Sequence, residues 1–213
     1  MKKVSKYILL IIVFLPLLYF RDFTPNNELK YLSIADEALR SGTYLTFTHE
    51  GSIYTDKPPL YLWLIMLCKQ LLGHHSMLLL GLFSFIPALL ILYVMEKWLS
   101  PYIPSNYLFT FSLMLITTGL FAGSAIVLRM DMLMSLFILL ALYTFYRMYT
   151  GQAGKGAKVL LPLYIFLALF TKGPLGLIIP FFSILVFLLY QKEGKTFFSY
   201  FGLLQWFILV GLC

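Results

Sequence analysis

YTDKPPLYLWL, Tyr54 to Leu64, sets an acid, a lysine and two prolines against a run that is otherwise apolar and aromatic. A residue before proline is kept out of the helical region, because the proline ring crowds its backbone, so Lys57 is extended. Pro58 and Pro59 suit the start of a helix, where the first N–H groups have no partner to lose. The prolines therefore hold Asp56 and Lys57 at one fixed height, where polar chain meets apolar chain.

Composition identifies that boundary as lipid. The 213 residues are 61% hydrophobic and only 12% charged, with 20 phenylalanines and 15 tyrosines. A soluble domain is about 45–50% apolar and about 25% charged, so one water-soluble core could not hide these side chains. Cys68 and Cys213 both sit in apolar surroundings and suggest neither a disulfide framework nor a thiolate metal site.

Working outward from Tyr54–Leu64, the apolar run Pro58–Gly73 is short and is interrupted by Lys69 and Gln70, which predicts an interfacial helix. Upstream, Arg21–Lys57 is the longest polar stretch, so residues 21–76 form a first outer loop. A membrane-crossing helix needs about 20 mostly apolar residues. The candidates are Val4–Phe20, Met77–Met95, Tyr107–Ile126, Met132–Tyr149, Val159–Thr171, Leu175–Tyr190 and Phe197–Cys213. Val4–Phe20 has no small-x-small cleavage site after it and reads as an uncleaved anchor. The predicted fold is all-α: a polytopic transmembrane helical bundle, residues 1–213, whose first outer loop carries amphipathic interfacial helices.

Charge then orients the chain. With the N-terminus inside, alternation of spans leaves nine basic residues and two acids on the inner side, Glu96 and Glu193, against seven of each on the outer side. The whole net charge of +7 is thus cytoplasmic, as the positive-inside rule expects, and no nucleic-acid partner is needed to explain it. That rule does not require the outer acids. Two short outer turns, LRMD at 128–131 and TKGP at 171–174, carry charges close to apolar spans. Such charges are costly unless they face one another or a cavity. An outer cavity lined by Lys57, Arg129, Asp131 and Lys172 is the simplest arrangement.

Within the outer loop, Thr24 can cap a helix, Pro25 suits its first position, and Glu28 favours the positive end of its dipole. An amphipathic helix over 26–40 follows, closed by Gly42. Tyr44–Phe47 is strand-like, and Glu50-Gly51 makes a turn before Ile53-Tyr54.

These residues resemble the first outer loop of the lipid A aminoarabinose transferase and protein O-mannosyltransferase family, membrane glycosyltransferases of GT-C type that use a polyprenyl-phosphate sugar. The match runs through Glu28, Lys30-Tyr31, Ser41-Gly42-Thr43 and Asp56-Lys57-Pro58-Pro59-Leu60. Arg129-Met130-Asp131 resembles the family's Arg-x-Asp turn, and Lys172-Gly173-Pro174 its Lys-Gly-Pro turn. The resemblance implies a polyprenyl-phosphate-linked sugar donor, a lipid A, protein or glycan acceptor, and a bacterial inner membrane with the active face outward. It implies that Lys57, then Arg129 and Lys172, steady the leaving phosphate, with Tyr54 also at the substrate. Asp131 and Glu28 are the carboxylates available to take the acceptor's proton. Asp56 is the candidate for a divalent metal in some relatives, although one carboxylate is a poor metal site and no cofactor is required.

Two departures stand out. The family's acidic pair begins with Asp, whereas this chain has Asn27, and an amide cannot serve as that base. Glu28 or another acid serves, the subfamily uses a different base, or the protein is inactive. Family members are also several hundred residues long, so this chain reads as an N-terminal portion or a truncated product.

Blander readings stand beside these. Lys57 can simply snorkel from an interfacial helix, Arg129 and Asp131 can be a surface ion pair, and His49, His74 and His75 fit as interfacial polar residues. Two rival functions remain. A non-catalytic subunit or remnant fits Asn27 and the short length. A lipid or solute transporter predicts ionisable or Gly/Pro-broken sites at mid-membrane, whereas the charges here cluster at the outer edge.

Overall fold

A computed structural model describes residues 3–25 and 27–202 of the chain. Lys2, Asn26, Cys213 and most of the predicted span Phe197–Cys213 lie outside the described residues. Helix α1 is Lys3–Phe20. The outer loop then contributes α2 (Glu28–Ser41), the strands β1 (Phe47–His49) and β2 (Ser52–Tyr54), and α3 (Leu60–Leu72). Helices α4 (Met77–Leu99), α5 (Ser105–Thr117), α6 (Gly119–Ile126), α7 (Met130–Tyr149), α8 (Ala157–Lys172) and α9 (Leu175–Tyr190) follow, then a 3₁₀ turn at Gly194–Thr196 and the short α10, Phe197–Tyr200. The chain is an all-α membrane protein, and its β content is one small hairpin.

Helices α4 and α7, of 23 and 20 residues, are each long and apolar enough to cross a bilayer. They pack on one another, and α7 also packs on α8 and α9. One core layer joins Phe14 and Leu18 of α1 to Phe85 and Leu92 of α4 and Leu136 of α7. Another joins Phe145 of α7 to Leu161 and Ile165 of α8 and Leu188 of α9. The α8–α9 contact depends on Gly176, because a Cβ there would overlap the carbonyl group of Ala168. Gly176→Ala should therefore push the two helices apart. The expected loss is at or above the ~1–3 kcal/mol typical of overpacking, since backbone yields less than a side chain. Thermal unfolding in detergent would measure it.

The predicted span Tyr107–Ile126 is broken within the fold. It forms two helices, α5 and α6, bent by 70° at Thr118. Hydropathy is blind to the cause. Thr117 and Thr118 are adjacent, and their hydroxyls donate to the carbonyls of Leu113 (2.7 Å) and Leu115 (2.6 Å). Hydroxyls that bond back to the preceding turn bend helices. Thr118 is extended, and Gly119 restarts the helix.

The first outer helix also differs at its start. It begins at Glu28 with Asn27 as an N-cap that makes no side-chain bond, so Thr24 is not the cap and Pro25 is not the first helical residue. Thr24 instead gives its backbone N–H to the Glu28 carboxylate at 2.7 Å. The other end is as predicted: Gly42 takes the left-handed conformation, φ 70°, and its N–H reaches the Ala38 carbonyl. Strand β1 lies slightly later than the strand-like Tyr44–Phe47. Phe47 pairs with Tyr54 and His49 with Ser52, leaving Glu50 and Gly51 as a two-residue turn with both φ positive. Such a turn matches the natural twist of a hairpin.

Candidate active site

Glu28 is fully buried. Its carboxylate accepts from the Arg21 guanidinium on both oxygens, from Thr24 N–H, and from Leu128 N–H at 2.6 Å, a residue one hundred positions away. Burial works to raise its pKa, but Arg21 and the two amides outweigh burial and hold the carboxyl below its ordinary range. Both oxygens are thus committed. Glu28 thereby ties the start of α2 to the turn before α7 that carries Arg129 and Asp131. Ser84 on α4 completes the clamp. Its hydroxyl accepts from Arg129 N–H (3.3 Å) and donates to the Arg129 carbonyl (3.2 Å).

A depressed carboxylate pKa adds stability above the unfolded-state value, about 4.3 for glutamate, and that stability is lost as pH falls through the lower folded value. The protein should therefore lose stability as pH drops below about 4. Glu28→Ala should remove this acid-dependent part and cost about 3–5 kcal/mol at neutral pH, because Arg21 is left without its partner. Unfolding curves of both proteins across pH provide the check.

The turn that Glu28 and Ser84 hold presents a charged triad. Arg129 Nε is 3.0 Å from an Asp131 oxygen, and Lys172 at the end of α8 pairs with the other. Asp131 lies in the first turn of α7, where a negative charge suits the helix dipole. It keeps 30% of its side chain exposed and lines a cleft of roughly 540 Å³ together with Arg129.

The opening motif forms the second group. Lys57 Nζ is 3.1 Å from Asp56, whose other oxygen accepts a long contact from the Tyr54 hydroxyl at 3.4 Å. The Lys57 ammonium first, helped by Tyr54, keeps the Asp56 carboxyl below its usual range. Lys30 Nζ sits 5.0 Å over the Tyr54 ring. Asp56 is the residue that the resemblance offers for a metal. Its neighbours are an ammonium and a phenol, and among the described residues no group of three or more His, Cys, Asp or Glu side chains could hold an ion.

Tyr31 feels the charges of both groups, and reading the sequence did not single it out as a site residue. Burial chiefly raises its pKa, while Lys57 and Arg129 pull it down and Asp56 and Asp131 push it up. Its hydroxyl thus lies within the field of four of the predicted site residues. The signal was present: Tyr31 is three residues after Glu28, on the same helix face. Its ring meets that of Tyr61 edge-on at 6.5 Å. Trp63 of α3 packs edge-on against Phe170 of α8 at 5.5 Å, which fixes the lysine loop relative to Lys172. Two further ion groups are structural. Asp36 binds both Lys69 (2.5 Å) and His75 (2.7 Å) in the outer loop, so His75 is a staple there. Lys6 pairs with Glu96 among α1 and α4, with Ser112 of α5 donating to the same carboxylate.

ArnT from Cupriavidus metallidurans superimposes on 98% of this chain, with a TM-score of 0.84 in its apo state. The chain has the GT-C membrane fold of ArnT. ArnT bound to undecaprenyl phosphate fits nearly as well, at 0.82. Both ArnT structures are 19% identical in sequence, and the chain covers 40% of their length. An uncharacterized protein of Aquifex aeolicus is 28% identical over 97% of this chain and 42% of its own. An undecaprenyl phosphate-alpha-4-amino-4-deoxy-L-arabinose arabinosyl transferase of Sodalis glossinidius is 26% identical over 86% of this chain and 34% of its own. No family model matches the chain. The chain spans about two-fifths of the ArnT structures and of the first of these curated relatives, and one-third of the second. The ArnT resemblance read from the three motifs is therefore supported by fold and by sequence.

Proposed function

We propose that this chain is the donor-binding part of a membrane glycosyltransferase that moves a sugar from a polyprenyl phosphate to a hydroxyl of a lipid, protein or glycan acceptor. The observation that carries this reading is the convergence on Tyr31. Three separated motifs deliver Lys57, Arg129, Asp131 and Lys172 to one end of the helix bundle, and Lys57 stands on an interfacial loop. A lipid phosphate needs cations at that height, with an apolar environment directly below. The reading places the chain in a bacterial inner membrane with this face outward.

In the reaction, the acceptor oxygen forms a bond to the sugar's anomeric carbon as the bond from that carbon to the phosphate oxygen breaks. The electron pair leaves with the phosphate, where Lys57 and Arg129 stabilise it. The acceptor's proton passes to Asp131, which the turn clamp and Lys172 orient. Preorganised charges of this kind need little rearrangement as the leaving group ionises. Tyr31 and Tyr54 supply hydroxyls between the two groups.

The full-length protein in proteoliposomes should release polyprenyl phosphate from a polyprenyl-phosphate sugar, followed by chromatography of the labelled lipid. No release with lipid, protein and glycan acceptors would remove the enzymatic reading. Asn27 favours one alternative, a donor-binding subunit that lacks its base. Under that alternative, Asn27→Asp should raise release by about 10²-fold, the lower end of a general base's contribution.

A further inference from the structure

The candidate active site uses one end of α8, at Lys172, and a basic pocket stands at the other end. The turn between α7 and α8 builds it. Gly151 takes the left-handed conformation, φ 70°, and Arg147 donates to the Gln152 carbonyl at 2.7 Å, so the chain turns sharply and is held there. Gly154 then leaves open space in front of the turn, since a Cβ on it would meet nothing within 4 Å. The pocket, of roughly 380 Å³, is lined by Lys155 and Lys158 and by Ser199 and Tyr200 of α10. Tyr200 is fixed by its edge-on contact with Phe145, at 5.1 Å. Among the described residues no acid lines the pocket, and neither lysine is in an ion pair. The charge of Glu193 reaches the Tyr200 hydroxyl, but Glu193 is not part of the lining.

We propose that this pocket binds the headgroup of an anionic phospholipid of the inner leaflet. The proposal shares with the transferase reading only its orientation, which turns Lys57 outward and this end of α8 inward. Two unpaired ammonium groups attract an anion. The first turn of α8, which no side chain caps, adds the positive end of a helix dipole. Basic pockets between membrane helices on the cytoplasmic side hold such headgroups. The apolar neighbours decide for a lipid over a free anion. Val159 and Leu160 directly follow Lys158 and are 48% and 39% exposed, and Phe198, beside Ser199, is 74% exposed. Exposed apolar side chains next to lysines suit the acyl chains that come with a lipid phosphate, and a soluble phosphate would leave them in water. The volume lies within the range of about 300–1,000 Å³ for sites that hold one small ligand.

The test titrates phosphatidylglycerol into the full-length protein in detergent and follows bound lipid by native mass spectrometry, with phosphatidylcholine as the comparison. Phosphatidylglycerol should bind about thirtyfold more tightly, since each lysine beside an anionic headgroup contributes about fivefold. Lys155→Ala combined with Lys158→Ala should abolish that preference. Lys192→Ala combined with Lys195→Ala removes the same charge from the same end but outside the lining, and should leave the preference within about twofold, because water and salt screen such charges. Gly154→Trp keeps both lysines, fills the pocket and should weaken binding about tenfold through the clash. Equal losses in the two lysine pairs would mean diffuse surface charge and overturn the proposal. So would unchanged binding by Gly154→Trp, or no preference in the parent protein. Glycerol phosphate that competes as well as the lipid does would mean a soluble anion, and would overturn the lipid assignment. Sugar release is assayed separately: a protein that prefers phosphatidylglycerol yet never turns over a donor keeps this pocket and loses the transferase reading, and the converse result does the opposite.

Discussion

Lys57→Ala is expected to reduce sugar transfer by about 10²–10³-fold, the loss seen when a preorganised group facing developing charge is removed. The fold should survive it. Lys57 pairs with Asp56, which is 61% exposed, and ion pairs of that kind contribute about 0–1 kcal/mol. Thermal unfolding should therefore be almost unchanged while donor turnover collapses. Lys57→Arg keeps the charge but spreads it over a planar fork on a longer stem, so it should recover only part of the rate. Full transfer by Lys57→Ala would return the residue to the role of a snorkelling anchor.

Asp131→Asn should lower kcat by about 10²–10⁴-fold, the usual span for a positioned general base. The split between parameters identifies the role. Removing a negative charge next to Arg129 and Lys172 leaves two cations facing the donor phosphate, so donor binding should hold or tighten while turnover falls. A residue that merely bridged two surface cations would behave differently: binding and thermal stability would fall together, with kcat little changed. Donor affinity measured beside single-turnover rates separates these results. Glu28 contrasts with it, because its oxygens already hold four donors and its loss should appear mainly as instability.

Much of this site could be read along the chain because its parts are local. The Asp-Lys-Pro-Pro step, the Arg-x-Asp turn and the Lys-Gly-Pro turn are each a few residues whose backbone is fixed by proline, glycine or a helix start. What defeated a linear reading was partnership across distance. That Leu128 N–H reaches the Glu28 carboxylate, and that Thr24 gives its own N–H to Glu28 rather than capping the helix, cannot be read from the local sequence. The helix over 107–126 looked continuous because hydropathy averages over the two threonines that break it.

The sequence by itself determined the solvent, the helical class and the three charged motifs, since composition and short-range sterics act without knowledge of the fold. Only the tertiary structure decided that Tyr31 feels the charges of the Asp-Lys-Pro-Pro and Arg-x-Asp motifs together, that Lys172 pairs with Asp131, and that Asp131 rather than Glu28 keeps a partly exposed carboxylate. The reason is that a carboxylate's availability depends on which donors reach it. Here one of those donors comes from one hundred residues away, and packing of α2 against the start of α7 brings it there.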